Sequence, residues 1–459
     1  MDKLGLLKTR REELKSAGSE IRKKIAELVD DQSFVELDSY SFSKNEFYGE
    51  ELAGEGVVSG FATIDGYACY IVALNSQILS GGLTNAGCKK IVKCQEKALK
   101  SATPIMYLLS TKGLLAGEGV ACLEGVAEVL SKMDDLKGVA PQFAVAMGDV
   151  LGQGALFVAA SDFAFYFKDT CVAYGSPLVI SAADGKSLDK NAVGGLGANA
   201  HNGMATFEVS SMDEVAQKYS EVLGFLPEYG GSYGELSDDA NKNAPNLNEK
   251  VDANSLVEAV FDEKAYLELG KGYEPQLRTF IGRVGTFAVG ALVFDNENGV
   301  ELNNSIIDKV KDFMYFCDEN NLPVVTFVNT LGIANNLATA NTTVMKNISN
   351  LVYALKVEVP KINVIYGKAI GLGYTLFGSK AYGADYSYAF CNAQISLFNS
   401  AVGAEIEMAN IGGNLDEVKA RYEEEQMDAM NAAKNGYIDD VIEPQYVRQY
   451  LISALQMLI

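Results

Sequence analysis

Apolar residues recur every seven positions at Leu7, Leu14, Ile21 and Leu28, interleaved with Lys, Arg and Glu. That spacing predicts a helix or helix pair over residues 3–30, packed on the body of the protein. From Gly56 onward the pattern changes to short apolar runs between helical stretches. Residues 67–74, 104–109 and 142–147 read as buried strands, and residues 88–101 as an amphipathic helix. Strands alternating with helices predict an α/β fold in which helices cover a sheet. Between Leu226 and Asn254 the chain turns to Gly, Ser, Asn, Asp and Pro, the composition of a linker or surface excursion.

After that excursion the earlier pattern resumes. A shift of 219 residues brings Gly66 onto Gly285, Pro104 onto Pro323, Thr111 onto Thr330 and Gly113 onto Gly332. The same shift brings Pro141 onto Pro360, Gly148 onto Gly367, Gly152 onto Gly371 and Gly154 onto Gly373. Coincidences confined almost to Gly and Pro, with spacing kept over about ninety residues, indicate two copies of one α/β domain. The expected organisation is a helical segment at 1–30, a first domain at 31–225, a linker at 226–255 and a second domain at 256–459.

Composition narrows the chemistry. The 459 residues carry a net charge of −22, which repels nucleic acid and anionic lipid. One histidine, His201, serves the whole chain, so His-based triads, His-ligated metal clusters and multi-His acid–base chemistry are nearly excluded. Seven cysteines without a C-x-x-C pair read as reduced core thiols. The charged start of the chain lacks the apolar core of a signal peptide, and no apolar run reaches about 18 residues. A cytoplasmic protein with no membrane span is expected.

In each copy a strand ends in a glycine-spaced turn that leads into a helix: Met147-Gly148-Asp149-Val150-Leu151-Gly152-Gln153-Gly154, and Tyr366-Gly367-Lys368-Ala369-Ile370-Gly371-Leu372-Gly373. Glycine lets the backbone turn sharply and approach a ligand, and amides at such a corner can hold a phosphate or the oxygen of an enolate. The turns Thr111-Lys112-Gly113 and Thr330-Leu331-Gly332 can supply further amides. Alternatively the glycines only permit close packing. No G-x-x-x-x-G-K-[ST] occurs, and Gly152-Gln153-Gly154 lacks the rest of a dinucleotide fingerprint. Amide-based stabilisation of an anion fits better, because it needs no histidine.

Further stretches carry a resemblance. They are residues 31–38, Gly56-Val57-Val58-Ser59-Gly60, Gly81-Gly82-Leu83, Phe167-Lys168-Asp169-Thr170, Asn321-Leu322-Pro323, Gly383-Ala384-Asp385 and residues 436–444 (GYIDDVIEP). With these the chain resembles, in order and over nearly its whole length, the carboxyltransferase subunits of biotin-dependent acyl-CoA carboxylases and decarboxylases, of the propionyl-CoA carboxylase β type. The resemblance implies two tandem crotonase-like domains in a homo-oligomer, a dimer or a trimer of dimers. It implies transfer of CO2 between biotin and the α-carbon of an acyl-CoA. Biotin arrives on a separate carrier protein, alongside biotin carboxylase or decarboxylase subunits, and no metal takes part. It also implies one amide hole at Gly152 and Gln153 for the thioester enolate, and a second at Leu372 and Gly373 for the biotin oxygen. Thr111, Lys112, Gly113, Gly332, Thr342 and Thr343 fall on substrate-binding turns.

The chain departs from that family where glycines are usual: at Gln153, at Leu372, at Lys112 and at Thr342-Thr343. Leu115 stands where the family has arginine, and Thr375 where an acidic residue is common. Two readings follow, an active enzyme with an altered pocket, or a degenerate subunit that binds CoA and scaffolds. Smaller signals have bland explanations. Met345-Lys346 lies in a helical stretch and not on a biotin-attachment hairpin; Lys89, Lys90, Lys93, Lys97 and Lys100 read as a solvated stripe; His201 reads as a turn residue. Glu118 and Glu124 offer a hydratase-like pair, or Glu118 is structural.

Overall fold

The seven-residue pattern at the N-terminus is cut at Gly18, which separates helix α1 (Lys3–Ala17) from α2 (Ser19–Leu28). Leu14, Ile21 and Leu28 are buried, whereas Leu7 stays exposed. Arg22 ties the pair to the body: it donates to the Leu14 carbonyl at 2.8 Å and grips Glu36 through two nitrogens at 2.8 and 3.0 Å. A side chain on Gly18 would stand 2.3 Å from that guanidinium, which explains the glycine.

The computed structural model describes residues 2–41, 53–234, 238–334, 336, 339 and 342–459. Contacts divide the chain into two units, Met1–Leu223 and Gly224–Ile459, so the segment expected as a linker folds with the second unit and carries short helices of its own. In the first unit the sheet runs β1 (Val35–Leu37), β2 (Val57–Ile64), β3 (Tyr67–Leu74), β4 (Ile105–Thr111), β5 (Gln142–Leu151), β6 (Phe163–Phe167) and β8 (Phe207–Val209), with β7 (Val172–Ala173) beside β5. The second unit repeats the order with β9 (Tyr266–Leu269), β10 (Leu277–Val284), β11 (Phe287–Phe294), β13 (Val324–Gly332), β14 (Lys361–Ile370), β15 (Tyr386–Phe390) and β17 (Asp440–Ile442). There β12 (Val300–Glu301) pairs with β13, and β16 (Gln394–Ser396) with β14. The first three strands of each path are antiparallel and the remaining pairs parallel, so helices must make the crossovers.

Helix α3 (Asn85–Ser101) is one crossover. Thr84 caps it by accepting from Gly87 N at 2.9 Å, and Cys88, Ile91, Cys94 and Ala98 face the sheet at helical spacing. Helix α4 (Val120–Leu136) packs beside it with Val126, Val129 and Met133 inward. The helix Asn304–Glu319 is the counterpart of α3 and takes its cap from Asn303. Lys90, read as part of a solvated stripe, is instead buried and donates to the Gly54 and Val57 carbonyls. Its counterpart Lys309 is buried in the same way against the Gly270 and Tyr273 carbonyls.

Two details of register document the duplication. Leu109 pairs with Ala146 and Thr111 with Val150, so β5 gains two residues on β4; Val328/Ile365 and Thr330/Ala369 repeat that bulge. Gly148 and Gly367 occupy it, where a Cβ would meet Ser110 Oγ at 2.6 Å and Asn329 Oδ1 at 2.5 Å. The hairpins differ by one position. Ile64 pairs with Tyr67 and Val284 with Phe287, which aligns Gly285 with Asp65 and not with Gly66. Both turn residues of the first hairpin have positive φ (Asp65 49°, Gly66 81°), but of the second pair only Gly285 does, at 65°. The turns are therefore of different primed types, and one of the eight matches is not a structural equivalence. Among the described residues no helix is long and apolar enough to cross a membrane.

Candidate active site at two glycine corners

Each bulged strand runs past its neighbour and ends in a corner. At the first, Gly152 has φ 63° and donates its N–H to the Ala173 carbonyl at 3.0 Å. Its amide is consumed by the sheet, so the expectation that Gly152 supplies a hole donor is corrected. Gln153 follows at φ −67°, ψ −16°, and Gly154 opens helix α5 (Gly154–Ala159). The Gln153 and Gly154 amides find no acceptor among the described residues, and they are the pair that carries donor capacity. Gly154 must be glycine, since a Cβ there would stand 2.6 Å from Thr111 Cγ2.

The second corner repeats this arrangement. Gly371 (φ 52°) donates to the Ser396 carbonyl at 2.9 Å, leaving the Leu372 and Gly373 amides without an acceptor among the described residues. A Cβ on Gly373 would stand 2.6 Å from Thr330 Cγ2. The shift of 219 residues maps Leu372 and Gly373 onto Gln153 and Gly154, so Gly154 was within reach of the sequence once that shift was carried through.

The flanking turns shape the corners without offering amides. Thr111 accepts from Gly113 N at 3.0 Å, and Lys112 N donates to the Ser80 carbonyl at 3.2 Å. Thr330 likewise accepts from Gly332 N at 3.1 Å. The expected supply of further donors from Lys112, Gly113 and Gly332 is therefore not present. Their contribution is space. Gly113 (φ 104°) lies against Gly152, whose own Cβ would stand 3.4 Å from Gly113 Cα. A Cβ on Gly332 (φ 73°) would stand 2.9 Å from the Ile370 carbonyl oxygen, 3.3 Å from Gly373 N and 3.4 Å from Leu372 N, so only glycine lets this turn lie against both free amides. Thr342 and Thr343 stand at the start of the helix Val344–Ala354, with Thr342 donating to the Thr339 carbonyl and Thr343 accepting from Asn304. Neither lines the cleft described next.

That cleft, of about 1010 Å³, opens at the second corner and is lined by Leu331, Ile333, Met345, Leu372, Leu397 and Phe398 among others. Leu372 forms part of the wall and leaves the cleft open. Among the described residues that line it, Glu301 is the one with a charge; nothing in the sequence pattern singled it out. Beside the first corner, Asp149 is bridged to Lys112 at 2.9 Å and to Lys190 at 3.5 Å. Burial works to raise the Asp149 pKa, but the two ammonium groups outweigh it and hold the carboxyl below its usual range. Glu118 accepts from Asn85 N at 2.7 Å and from Cys122 at 3.2 Å, a structural role at the start of α3, and Glu124 is exposed. His201 ends a short helix, Leu196–His201, on the surface.

The chain is similar to known proteins over nearly its whole length. The carboxyl transferase domain model matches residues 14–459. The chain is 32% identical to the methylmalonyl-CoA decarboxylase subunit alpha of Veillonella parvula, over 95% of this chain and 89% of that one. It is 28% identical to the propionyl-CoA carboxylase carboxyltransferase subunit of Haloferax mediterranei, over 100% and 96% respectively. Among solved structures it is similar to the transcarboxylase 12S hexamer with methylmalonyl-coenzyme A bound, with a TM-score of 0.89 and 26% identity over 98% of this chain and 91% of the other. The tandem crotonase-like fold expected from the resemblance is thus the fold observed. Duplicated corners, free amides and near full-length similarity lead to one conclusion: the chain belongs to the carboxyl transferase domain family.

Proposed function

We propose that this chain is the carboxyltransferase subunit of a biotin-dependent acyl-CoA carboxylase or decarboxylase, moving CO2 between the α-carbon of a short acyl-CoA and biotin borne by a separate carrier. The observation that carries the reading is the distribution of backbone angles. Within the turns 111–113, 152–154, 330–332 and 371–373 every positive-φ position is glycine: Gly113, Gly152, Gly332 and Gly371. The residues that depart from the family pattern, Lys112, Gln153 and Leu372, are not among the positive-φ residues. A side chain there costs no left-handed strain, and the amide directions survive the substitutions. This favours an active enzyme over a subunit that only scaffolds.

At the first corner the Gln153 and Gly154 amides hold the thioester oxygen as it gains negative charge, when the bond from the α-carbon to the carboxylate breaks or that to a proton does. Donors of this kind are each worth about 2.7–4 kcal/mol in the transition state, and they work without a histidine. The free amides of Leu372 and Gly373, at the edge of a largely apolar cleft, suit an uncharged ring with one carbonyl oxygen. Biotin, when bound, supplies the nitrogen that carries CO2; Leu372 and Gly373 would hold its ring oxygen, and Leu331 and Leu397 its apolar flank. The partners are then a biotin carrier, biotin carboxylase or decarboxylase subunits, and further copies of this chain. The helix Pro177–Asp184 buries none of its residues and leaves Leu178 80% and Val179 62% exposed, an apolar surface for a second copy to cover. All seven cysteines are unpaired, in keeping with a cytoplasmic setting.

The test is decarboxylation of malonyl-CoA or methylmalonyl-CoA with and without added biotin. Biotin-dependent turnover is expected. Retained CoA binding with no turnover overturns the reading in favour of a scaffold, and hydration of an enoyl-CoA without biotin overturns it in favour of a hydratase.

A further inference from the structure

Duplication has left this chain with two corners of one design, and each needs a different ligand. Both offer two free amides behind a threonine-locked turn, so their backbone cannot tell a thioester from a cyclic urea. Charge distinguishes them. At the first corner two lysines, Lys112 and Lys190, are bridged to Asp149, and Asp189 lies near the same neighbouring thiol, so the charges there are balanced. At the second, the counterpart of Lys112 is Leu331, and Glu301 contributes a negative charge to walls that are otherwise uncharged.

The position of Glu301 is fixed by strand pairing. Glu301 pairs with Gly332 across β12 and β13, and Gly332 fronts the two free amides of the second corner. Leu302 N donates to the Gly332 carbonyl at 2.8 Å, just as Leu83 N donates to the Gly113 carbonyl at 3.0 Å. The counterpart of Glu301 at the first corner is therefore Gly82, whose added Cβ would already stand 3.1 Å from the Leu79 carbonyl. Glu301 is exposed, and among the described residues its carboxylate has no ion pair or hydrogen bond. It also borders a side annex of about 430 Å³ lined by uncharged amides, including Gln276, Asn298 and Asn303. Lys368, the counterpart of Asp149, lines a different depression with Lys250, Asp252, Asp295 and Glu297, and its ammonium donates to the carbonyl of Asn298 at the rim of the annex at 3.2 Å.

We infer that Glu301 is a specificity residue that bars polyanionic acyl-CoA from the second corner, whereas the first corner, with two lysines offsetting its carboxylates, admits it. The inference rests on the function proposed above and adds how the two ligands are sorted. Coenzyme A carries several phosphate charges, whereas a cyclic urea carries none. A single carboxylate on apolar walls therefore repels the wrong ligand at little cost to the right one.

Equilibrium dialysis of the full chain against coenzyme A at low salt tests this without any turnover. One coenzyme A per chain is expected for the wild type, and two for Glu301→Gln and Glu301→Lys, the second bound at least tenfold more tightly than any second binding to the wild type. High salt should erase the difference, because the discrimination is Coulombic. In turnover assays coenzyme A should inhibit competitively against biotin at a concentration at least tenfold lower in the variants. The same stoichiometry in all three proteins, or two equal sites in the wild type, overturns the inference. Should stoichiometry change as expected while no biotin-dependent turnover exists, the proposed function falls and the sorting role of Glu301 stands. Glu301 sits exposed on a two-residue strand, and equal melting temperatures confirm that the variants fold.

Discussion

Gly332→Ala probes the second corner with a single methyl. At φ 73° an L side chain costs about 1–2 kcal/mol of stability. The new Cβ would stand 2.9 Å from the Ile370 carbonyl, 3.3 Å from Gly373 N and 3.4 Å from Leu372 N. It presses on the Ile370 carbonyl and crowds the two donor nitrogens, so the corner must shift. Removing one such donor costs about 2.7–4 kcal/mol, so blocking the corner should lower the biotin-dependent rate by at least about 10²-fold. The first corner is built from other residues, so affinity for acyl-CoA should change less than about twofold. Gly436→Ala separates strain from occlusion, because Gly436 has a similar φ of 70° and nothing within 4 Å of its added Cβ. It should lose about 1–2 kcal/mol, less than Gly332→Ala, which also presses on the Ile370 carbonyl, and keep its rate. The assay is malonyl-CoA decarboxylation at varied biotin, with denaturant unfolding of both variants. A folded Gly332→Ala protein with the wild-type rate would refute the role of the Leu372 and Gly373 amides.

Three further outcomes are expected. Gln153 has the φ that proline imposes, so Gln153→Pro deletes one N–H and should lower kcat by about 10²–10³-fold, with a lowered melting temperature because proline also crowds Gly152, held at φ 63°; an unchanged kcat in the folded variant would exclude the Gln153 amide. Burial pulls the Lys90 and Lys309 ammonium groups down to about 8, against nearby carboxylates that pull up. The unfolded chain then binds more protons between about pH 8 and 10.5, so each lysine's contribution rises with pH across that window, by about 3 kcal/mol at most; unfolding of Lys90→Met and Lys309→Met beside the wild type should show the wild type gaining relative stability there, and a flat or falling difference contradicts the sign. Arg448 is buried and donates to Asp262 at 2.6 Å and to the Val260 and Asp239 carbonyls, while Asp262 also accepts from Gly285 N at 2.8 Å; Arg448→Met should cost about 3–5 kcal/mol in denaturant unfolding by removing the opposite charge from a buried carboxylate, and a loss below about 1 kcal/mol would show that the remaining hydrogen bonds of Asp262 suffice.

Much of this architecture was legible because duplication wrote it twice. Gly and Pro mark turns whatever packs around them, so matches such as Pro141 with Pro360 kept their meaning, and the bulges at Gly148 and Gly367 coincide. The hairpin match failed because a turn needs glycine at the position its type dictates, and the two turns differ in type. The corner donors were half legible. Which amides are free depends on what the neighbouring short strand consumes, and Gly152 lost its donor to Ala173 on β7, a two-residue strand with no periodic signal. Lys90 was misread for a similar reason. Helical spacing shows which residues share a face, but here the carbonyls of Gly54 and Val57 make that face able to bury an ammonium group.

The amino-acid order by itself determined the repeat, the α/β class, the near-absence of histidine chemistry and the two glycine corners. Each of these follows from local rules of periodicity, turn geometry and residue inventory. Tertiary structure alone decided which backbone hydrogens remain unpaired, that Gln153 and Leu372 occupy ordinary backbone angles, and that Glu301 stands one strand away from Gly332. Those properties depend on contacts between segments far apart in the chain, where hydrogen-bond partners, steric gaps and uncompensated charges exist only once the strands have been paired.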